Sequence, residues 1–540
     1  MATFAFFTRD IWQSLSVRRS RGGVFYRLCL LSAVAVLSGL LSACWSSPKS
    51  GGNGRYLAVA IESEPTRLDP RYATDANSVR VGGLLYDSLL RPGAGAQWEP
   101  ELAERWTMPD SLTYRFFLRA GVRFHDGRLL TARDVKYTYD SILDPKSGSP
   151  RRAALTALST VELLGTYEIQ FRLSQPYAAF LEHCTIGIVP EGTTTAAGGD
   201  SRPPVGSGAF ILEAVDPGER LLLRANPDYW EGAPPLPGIE FRIVPDAVVR
   251  VLEFKKGTIH MLQNDLEPDM LPWLERHTDA VIDMIEGTTF QYIGINLQHP
   301  ILARAKVRQA LAHAIDRDAI IRHLLKGQVT AATGLLSPDH WAYNGAVPTW
   351  PYDPRRAMLL LDEAGYPDPD GPGPKPRFKL SFKTTQIDLR RRIAEAFKEQ
   401  LAAIGVELEV RAYEWAAFYS DVKNGNFHLF SLAWVGVLDP DVYYNLFHST
   451  SVPPRGDNRG RYSNAALDEL LEAGRTVTDP ARRKAIYAEV QRIVAQDLPY
   501  VPLWWWKNTV VRKPSLVGFT PRPDGDLVSF KRAAYFPGRG

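Results

Sequence analysis

Leu112-Thr-Tyr-Arg-Phe-Phe-Leu-Arg119, followed by Gly121-Val-Arg-Phe-His-Asp-Gly127, is the stretch from which the fold reads outward. Tyr114, Phe116 and Leu118 alternate with Thr113, Arg115, Phe117 and Arg119, the period of two of a strand with one face in a core. Asp126-Gly127 then supplies a tight turn. Upstream, Tyr56-Leu-Ala-Val-Ala-Ile61 is apolar and free of Gly and Pro, which suits a buried strand, and Glu62-Ser63-Glu64-Pro65 follows as a loop. Downstream the period becomes helical. Val307, Leu311, Ala314 and Ile315, then Ile320, Ile321, Leu324 and Leu325, recur at helical spacing up to Gly327, which is placed to end a helix. Asp479 before Pro480 reads as the N-cap of a helix carrying Ile486, Val490, Ile493 and Val494 on one face. Leu389, Ile393, Phe397, Leu401 and Ile404 form a further stripe that leads through Gly405 into the strand Val406-Glu-Leu-Glu-Val410. Mixed strands and helices without strict alternation predict an α/β or α+β chain. At 540 residues it is too long for one hydrophobic core and must be multi-lobed.

The N-terminus carries an address. Residues 28–44 are an apolar run behind Arg18, Arg19, Arg21 and Arg27, ending in Leu41-Ser-Ala-Cys44. The run is shorter than the roughly 20 residues a membrane-spanning helix needs, so it reads as a signal-peptide core. Leu, two small residues and then Cys resemble the bacterial lipobox, which makes residues 1–43 a leader and Cys44 a lipidated first residue; an ordinary cleaved signal or an uncleaved anchor is the alternative. Ser46 to Gly54 has the composition of a flexible tether. Five arginines and one acid lie in the leader, so the formal net charge of +3 becomes slightly negative without it, and nothing favours a polyanion such as nucleic acid. Of the three cysteines only Cys184 belongs to the folded body, in a largely apolar run that suggests a packed small hydrophobe.

Enzyme signatures fail where they are sought. The chain has no G-x-x-x-x-G-K-[ST] loop, no G-x-G-x-x-G fingerprint, no H-E-x-x-H and no G-x-S-x-G elbow. Its ten histidines are dispersed, so neither a metal nor another cofactor is expected. Asp439 and Asp441 are a weak carboxylate pair, one among many in a chain with 60 acidic residues. Arg390-Arg391-Arg392 opens an amphipathic helix as its solvated side. Trp504-Trp505-Trp506, read as a strand, places Trp505 on one face and its neighbours on the other, one face in a core and the other available to a cleft.

From Ala103-Glu-Arg-Trp-Thr-Met-Pro-Asp110 through Gly127, the pattern resembles family 5 of the bacterial extracellular solute-binding proteins, the peptide- and nickel-binding components of ABC importers. The resemblance continues in Leu130-Thr-Ala-Arg-Asp-Val135, Pro204-Val-Gly-Ser-Gly208, Asn226-Pro-Asp-Tyr-Trp230, Val307-Arg-Gln-Ala310 and Asp497-Leu-Pro-Tyr-Val-Pro-Leu503. It implies a two-lobed periplasmic-binding-protein fold of the α/β class with an extra subdomain. Mapped on this chain, lobe I is residues 55–90, 207–290 and 507–540, the inserted subdomain is 91–206, and lobe II is 291–506. A tethered, monomeric, non-enzymatic receptor follows, closing on an oligopeptide or dipeptide and presenting it to the permease.

In the family's peptide binders a Trp followed three residues later by Asp holds the ligand's N-terminal ammonium. The stretch here is Trp434-Val-Gly-Val437-Leu-Asp439, with Val437 at the acid's position. Either Asp439 takes the role from a rearranged loop, or the site does not read a free amino terminus, which favours an oligosaccharide, a modified peptide or a metal chelate. The topology the resemblance implies adds Glu62, Ser63, Glu64 and Ser207 at the cleft edge, Trp434 on its floor, and Trp505 or Trp506 near a crossing between lobes.

Overall fold

Leu57–Ile61 is a strand with all five residues buried. It lies parallel to Gly238–Ile243 on one side and to Met261–Gln263 on the other, and its continuous apolar run suits a strand with neighbours at both edges. The computed structural model describes residues 56–194, 203–264, 266–371 and 373–536, so the leader, Cys44 and the tether lie outside the described residues.

One eleven-stranded sheet connects both halves of the body. Its order is Val406–Tyr413, Phe378–Thr385, Leu429–Trp434, Val281–Ile295, Tyr500–Arg512, Met261–Gln263, Leu57–Ile61, Gly238–Ile243, Arg220–Ala225 and Phe210–Asp216, with Val329–Ala331 paired to Tyr500–Arg512 off this path. Val281–Ile295 and Tyr500–Arg512 run antiparallel from Val281 opposite Arg512 to Gly294 opposite Tyr500. At 15 residues the first of them extends about 50 Å, enough to belong to both lobes. The Arg512 end pairs with Met261, and towards the other end Phe290 pairs with Trp434.

The register between these two strands shifts between Ile285 and Thr289, and Gly287 sits inside the shift. A Cβ at Gly287 would stand 2.2 Å from the Trp506 carbonyl oxygen, so only glycine lets the backbones approach there. Gly287→Ala should therefore lower stability by about 1–3 kcal/mol, the usual range for overpacking, read as a drop in thermal midpoint.

Separate cores sit on either side of the crossing strands. Leu57, Val59, Leu84, Phe210, Phe241 and Phe530 share one cluster; Phe290, Tyr292, Phe418, Val437, Tyr443 and Trp505 share another. A third lies within residues 89–188, where Ala103–Asp110, Thr113–Leu118, Glu168–Leu173 and Leu158–Gly165 make a four-stranded antiparallel sheet backed by the helix Ala132–Leu143. Tyr114, Phe116 and Leu118 are buried there while Arg115 and Phe117 are half-exposed, as the alternation predicts, but Thr113, expected on the outer face, is buried as well. Gly127 turns with φ +86°. Cys184 is wholly buried, and that burial pushes its thiol pKa up.

The helical stripe from Val307 to Leu325 is broken into two helices, Ala305–Ala314 and Arg317–His323. Asp316 explains the break, because its side chain accepts from the Ala319 N–H and caps a new helix. Asp479 likewise accepts from the Arg482 N–H and starts Pro480–Asp497 as predicted. Among the described residues no helix is long and apolar enough to cross a membrane.

Candidate functional site

Trp434 ends the strand Leu429–Trp434 and stands opposite Phe290, which in turn stands opposite Trp505, so a row of aromatic residues crosses three strands beside the crossing. Its indole lies parallel to Tyr292 with ring centroids 6.5 Å apart, and the Arg459 guanidinium sits 4.8 Å from its ring centre. Arg459 is itself fixed: it donates to the Tyr292 hydroxyl at 3.2 Å, to the Tyr419 hydroxyl at 3.4 Å and to the Asp457 carboxylate at 2.8 Å. The side chain of Trp434 is thus oriented before any ligand arrives. Its Nε1 is buried and has no acceptor among the described residues, a state that costs about 1–3 kcal/mol until an acceptor is supplied.

The residues after Trp434 do not supply an acid. Val435 is 62% exposed, Gly436 turns the chain at φ +68°, and Val437 is buried in the lobe core. Asp439 is buried and bound by Arg483 through both carboxylate oxygens, at 2.6 and 2.8 Å. Asp439 is only 3% exposed and already accepts the two Arg483 bonds and the Asp441 N–H at 2.8 Å, so its burial in the core speaks against Asp439 as the replacement for the missing acid.

Of the other expected cleft residues, Ser207 and Trp505 are buried, and Glu62, Ser63, Glu64 and Trp506 are not. Ser207 is 1% exposed and donates to Asp87 at 2.9 Å, with the Tyr229 hydroxyl and the Trp230 indole N–H donating to the same carboxylate at 3.1 Å each. Ser207 therefore buttresses a buried acid rather than edging a cleft. Glu62 and Ser63 accept from the Asn77 side chain, and Glu64 accepts from the Gly218 N–H; Ser63 is exposed and the two acids are half-buried, so a place at a cleft edge is compatible with these bonds. Trp505 is buried at 2% exposure against Phe290 and Tyr343, whereas Trp506 is part-buried and its Nε1 donates to the Gln291 side chain at 3.2 Å. The predicted alternation of the three tryptophans holds, since Trp504 and Trp506 pack in one cluster and Trp505 in the other, but both of the faces are core.

Burial, and then Glu101 nearby, raise the Asp87 carboxyl well above the ordinary carboxylate range. A folded-state pKa above the unfolded one gives stability that is full below the unfolded value and is lost as pH rises through the folded one. The stability difference between wild type and Asp87→Asn should therefore shift against wild type as pH climbs from about 4 towards neutrality, measured by denaturant unfolding across that range.

Sequence reasoning missed the residues that join the part of the chain at 89–188 to Trp341, Asp441 and Arg475. The Tyr177 hydroxyl donates to Asp441 at 3.1 Å, Arg475 lies 3.1 Å from the same carboxylate, and its guanidinium stands over the Tyr177 and Tyr444 rings at 5.1 and 4.0 Å. The Trp341 N–H donates to the Gly95 carbonyl at 3.0 Å. Glu267 and Asp269 face Arg392 and Lys326, at 3.4 and 3.6 Å. Arg392 is thus more than the solvated side of its helix. Only a local signal was available in the sequence, and arginines on helices and loops read as solvated.

Comparison with known proteins agrees with this architecture. Residues 97–453 match the family described as bacterial extracellular solute-binding proteins, family 5 middle. The chain is 30% identical over 535 residues to the oligopeptide-binding protein AppA of Bacillus subtilis, covering 94% of this chain and 98% of that one. It is 28% identical over 523 residues to heme-binding protein A of Haemophilus influenzae, covering 90% and 93%. The solved structure of AppA from Bacillus subtilis in complex with a nonapeptide superposes with a TM-score of 0.75 at 29% identity, over 89% of this chain and 98% of that one. The chain belongs to family 5 of the bacterial extracellular solute-binding proteins.

Proposed function

We propose that the protein is the extracytoplasmic receptor of an ABC importer, which takes oligopeptides or dipeptides between its lobes and presents them to a membrane permease. The observation that carries this reading is Trp434, an aromatic platform oriented by Tyr292 and Arg459 beside the crossing strands, whose buried N–H has no acceptor among the described residues. A peptide carbonyl supplies that acceptor and its side chains supply apolar contact. The likeness to proteins named as peptide binders, one of them solved with a nonapeptide, supports the ligand class.

On this reading lobe I comprises residues 55–90, 207–290 and 507–540, lobe II residues 291–506, and the inserted subdomain 91–206. The separation of the hydrophobic clusters along the chain supports that division. Ligand favours the closed form by its differential affinity, and the permease reads the closed shape without covalent chemistry. The receptor works as a monomer without a cofactor in the periplasm, tethered to the membrane by lipid on Cys44. The seam contacts belong to the closed form, so Tyr177→Phe, which removes one hydrogen bond there, should weaken ligand affinity about two- to tenfold in a binding titration while leaving the fold intact.

With Val437 in the core and Asp439 bound to Arg483, the acid expected to read a peptide amino terminus is not on offer after Trp434. The same observation favours a second reading, a ligand without an ammonium at that end: a modified peptide, an oligosaccharide or a metal chelate. Thermal unfolding with a pool of short peptides and with the same pool N-acetylated separates the cases, since ligand at about 100 times its dissociation constant adds about 2.7 kcal/mol. Both pools should stabilise. Stabilisation by the free pool alone would return an acid to the site, and stabilisation by neither would overturn the peptide reading.

A further inference from the structure

At the far end of the strand Leu429–Trp434 from the indole, an open pocket of about 450 Å³ is lined by, among others, His299, Lys383, Arg411, Asn426 and His428. Six residues of strand put about 20 Å between it and Trp434, so it is separate from the proposed ligand site. Its lining includes two cations and two imidazoles and, among the described residues, no carboxylate.

Each cation already has a carboxylate partner outside the pocket lining. Lys383, on Phe378–Thr385, donates to Asp421 at 2.5 Å from the helix Trp415–Asn424 and lies over the Tyr413 ring. Arg411, on Val406–Tyr413, is paired with Glu409 of its own strand at 2.7 and 2.8 Å, and its side chain is 46% exposed. His299 and His428 come from two different loops, and their ring centroids are 4.2 Å apart. The Ser381 N–H donates to His428 Nδ1 at 3.2 Å, which leaves the proton of the neutral ring on Nε2. His299 Nδ1 is buried and has no partner among the described residues.

Both imidazoles are held below their ordinary pKa, His299 by burial and His428 by burial and then by His299, Arg411 and Lys383. Neutral imidazoles in contact, beside two cations and with one ring nitrogen orphaned, form an arrangement that an entering anion relieves: it pairs with the cations, accepts from the His428 Nε2–H and lets His299 take up a proton, while His428 Nδ1 keeps its bond from the Ser381 N–H.

We propose that this pocket is a second binding site, for a small tetrahedral dianion of the phosphate class, held by Lys383, Arg411 and the His299–His428 pair. The planar guanidinium fork suits two oxygens of such an anion, and the ammonium and imidazoles supply donors to the others.

The test is isothermal titration of the full-length protein with sulfate, which stays doubly charged across the range used, at ionic strength held constant with chloride. Saturable binding is expected, about tenfold tighter near pH 6 than near pH 8, with proton uptake seen as a dependence of the heat on the buffer. Arg411 is half-exposed, so Arg411→Gln should keep the fold and weaken binding at both pH values. The double variant His299→Gln/His428→Gln should bind with the pH dependence gone. Absence of saturable binding, or wild-type affinity and pH dependence in these variants, would overturn the proposal.

Discussion

Arg483→Met should destabilise the protein by about 3–5 kcal/mol, the range for removing one partner of a buried ion pair. Side-chain exposures of 6% for Arg483 and 2% for Asp439 leave the aspartate no water to turn to once the guanidinium is gone. Asp441 and Glu182 make matters worse: burial first, then neighbouring carboxylates including Asp439, raise the Glu182 pKa, which shows how acidic this seam already is. Arg483 also donates from Nε to the Gly474 carbonyl at 2.9 Å, so its loss frees a second buried acceptor. Replacing both partners, as Asp439→Leu/Arg483→Met, removes the unpaired charge and should recover most of the loss. Urea unfolding followed by tryptophan fluorescence measures both variants. Equal losses in the single and double variants would mean that packing, and not the uncompensated charge, sets the cost.

Trp434→Ala should cost at least about 2 kcal/mol of ligand binding, a dissociation constant roughly 30-fold higher, because it deletes both the aromatic platform and the indole donor. Trp434→Phe separates the two contributions. It keeps a ring against Tyr292 and Arg459 but has no N–H, and should lose only about 1 kcal/mol. Peptide-induced thermal stabilisation reads both variants against wild type. If Phe and Ala are equally impaired, the hydrogen bond dominates; if neither is impaired, Trp434 is not in the site.

Local pattern carried much of the fold. The alternation at Tyr114, Phe116 and Leu118, the cap at Asp479 and the faces of Trp504, Trp505 and Trp506 each follow from spacing that a few adjacent residues display. The site was less legible because partners of buried polar groups lie far along the chain. Asp439 meets an arginine 44 residues on, Ser207 an aspartate 120 residues back, and Tyr177 an aspartate 264 residues on. No periodicity announces such pairs. Asp316 shows the same limit at short range: its neighbours fit one long helix, and only the capping bond to Ala319 divides it.

The seam contacts of Tyr177, Arg475 and Trp341 make closure measurable in solution. Small-angle X-ray scattering of wild type and Trp434→Ala, each with and without the peptide pool, tests most directly whether ligand is taken between the lobes. The pool should lower the radius of gyration of wild type and leave Trp434→Ala unchanged at the same concentration. A saturating pool that stabilises the wild-type protein without contracting it, or contracts the variant equally, would contradict uptake between the lobes.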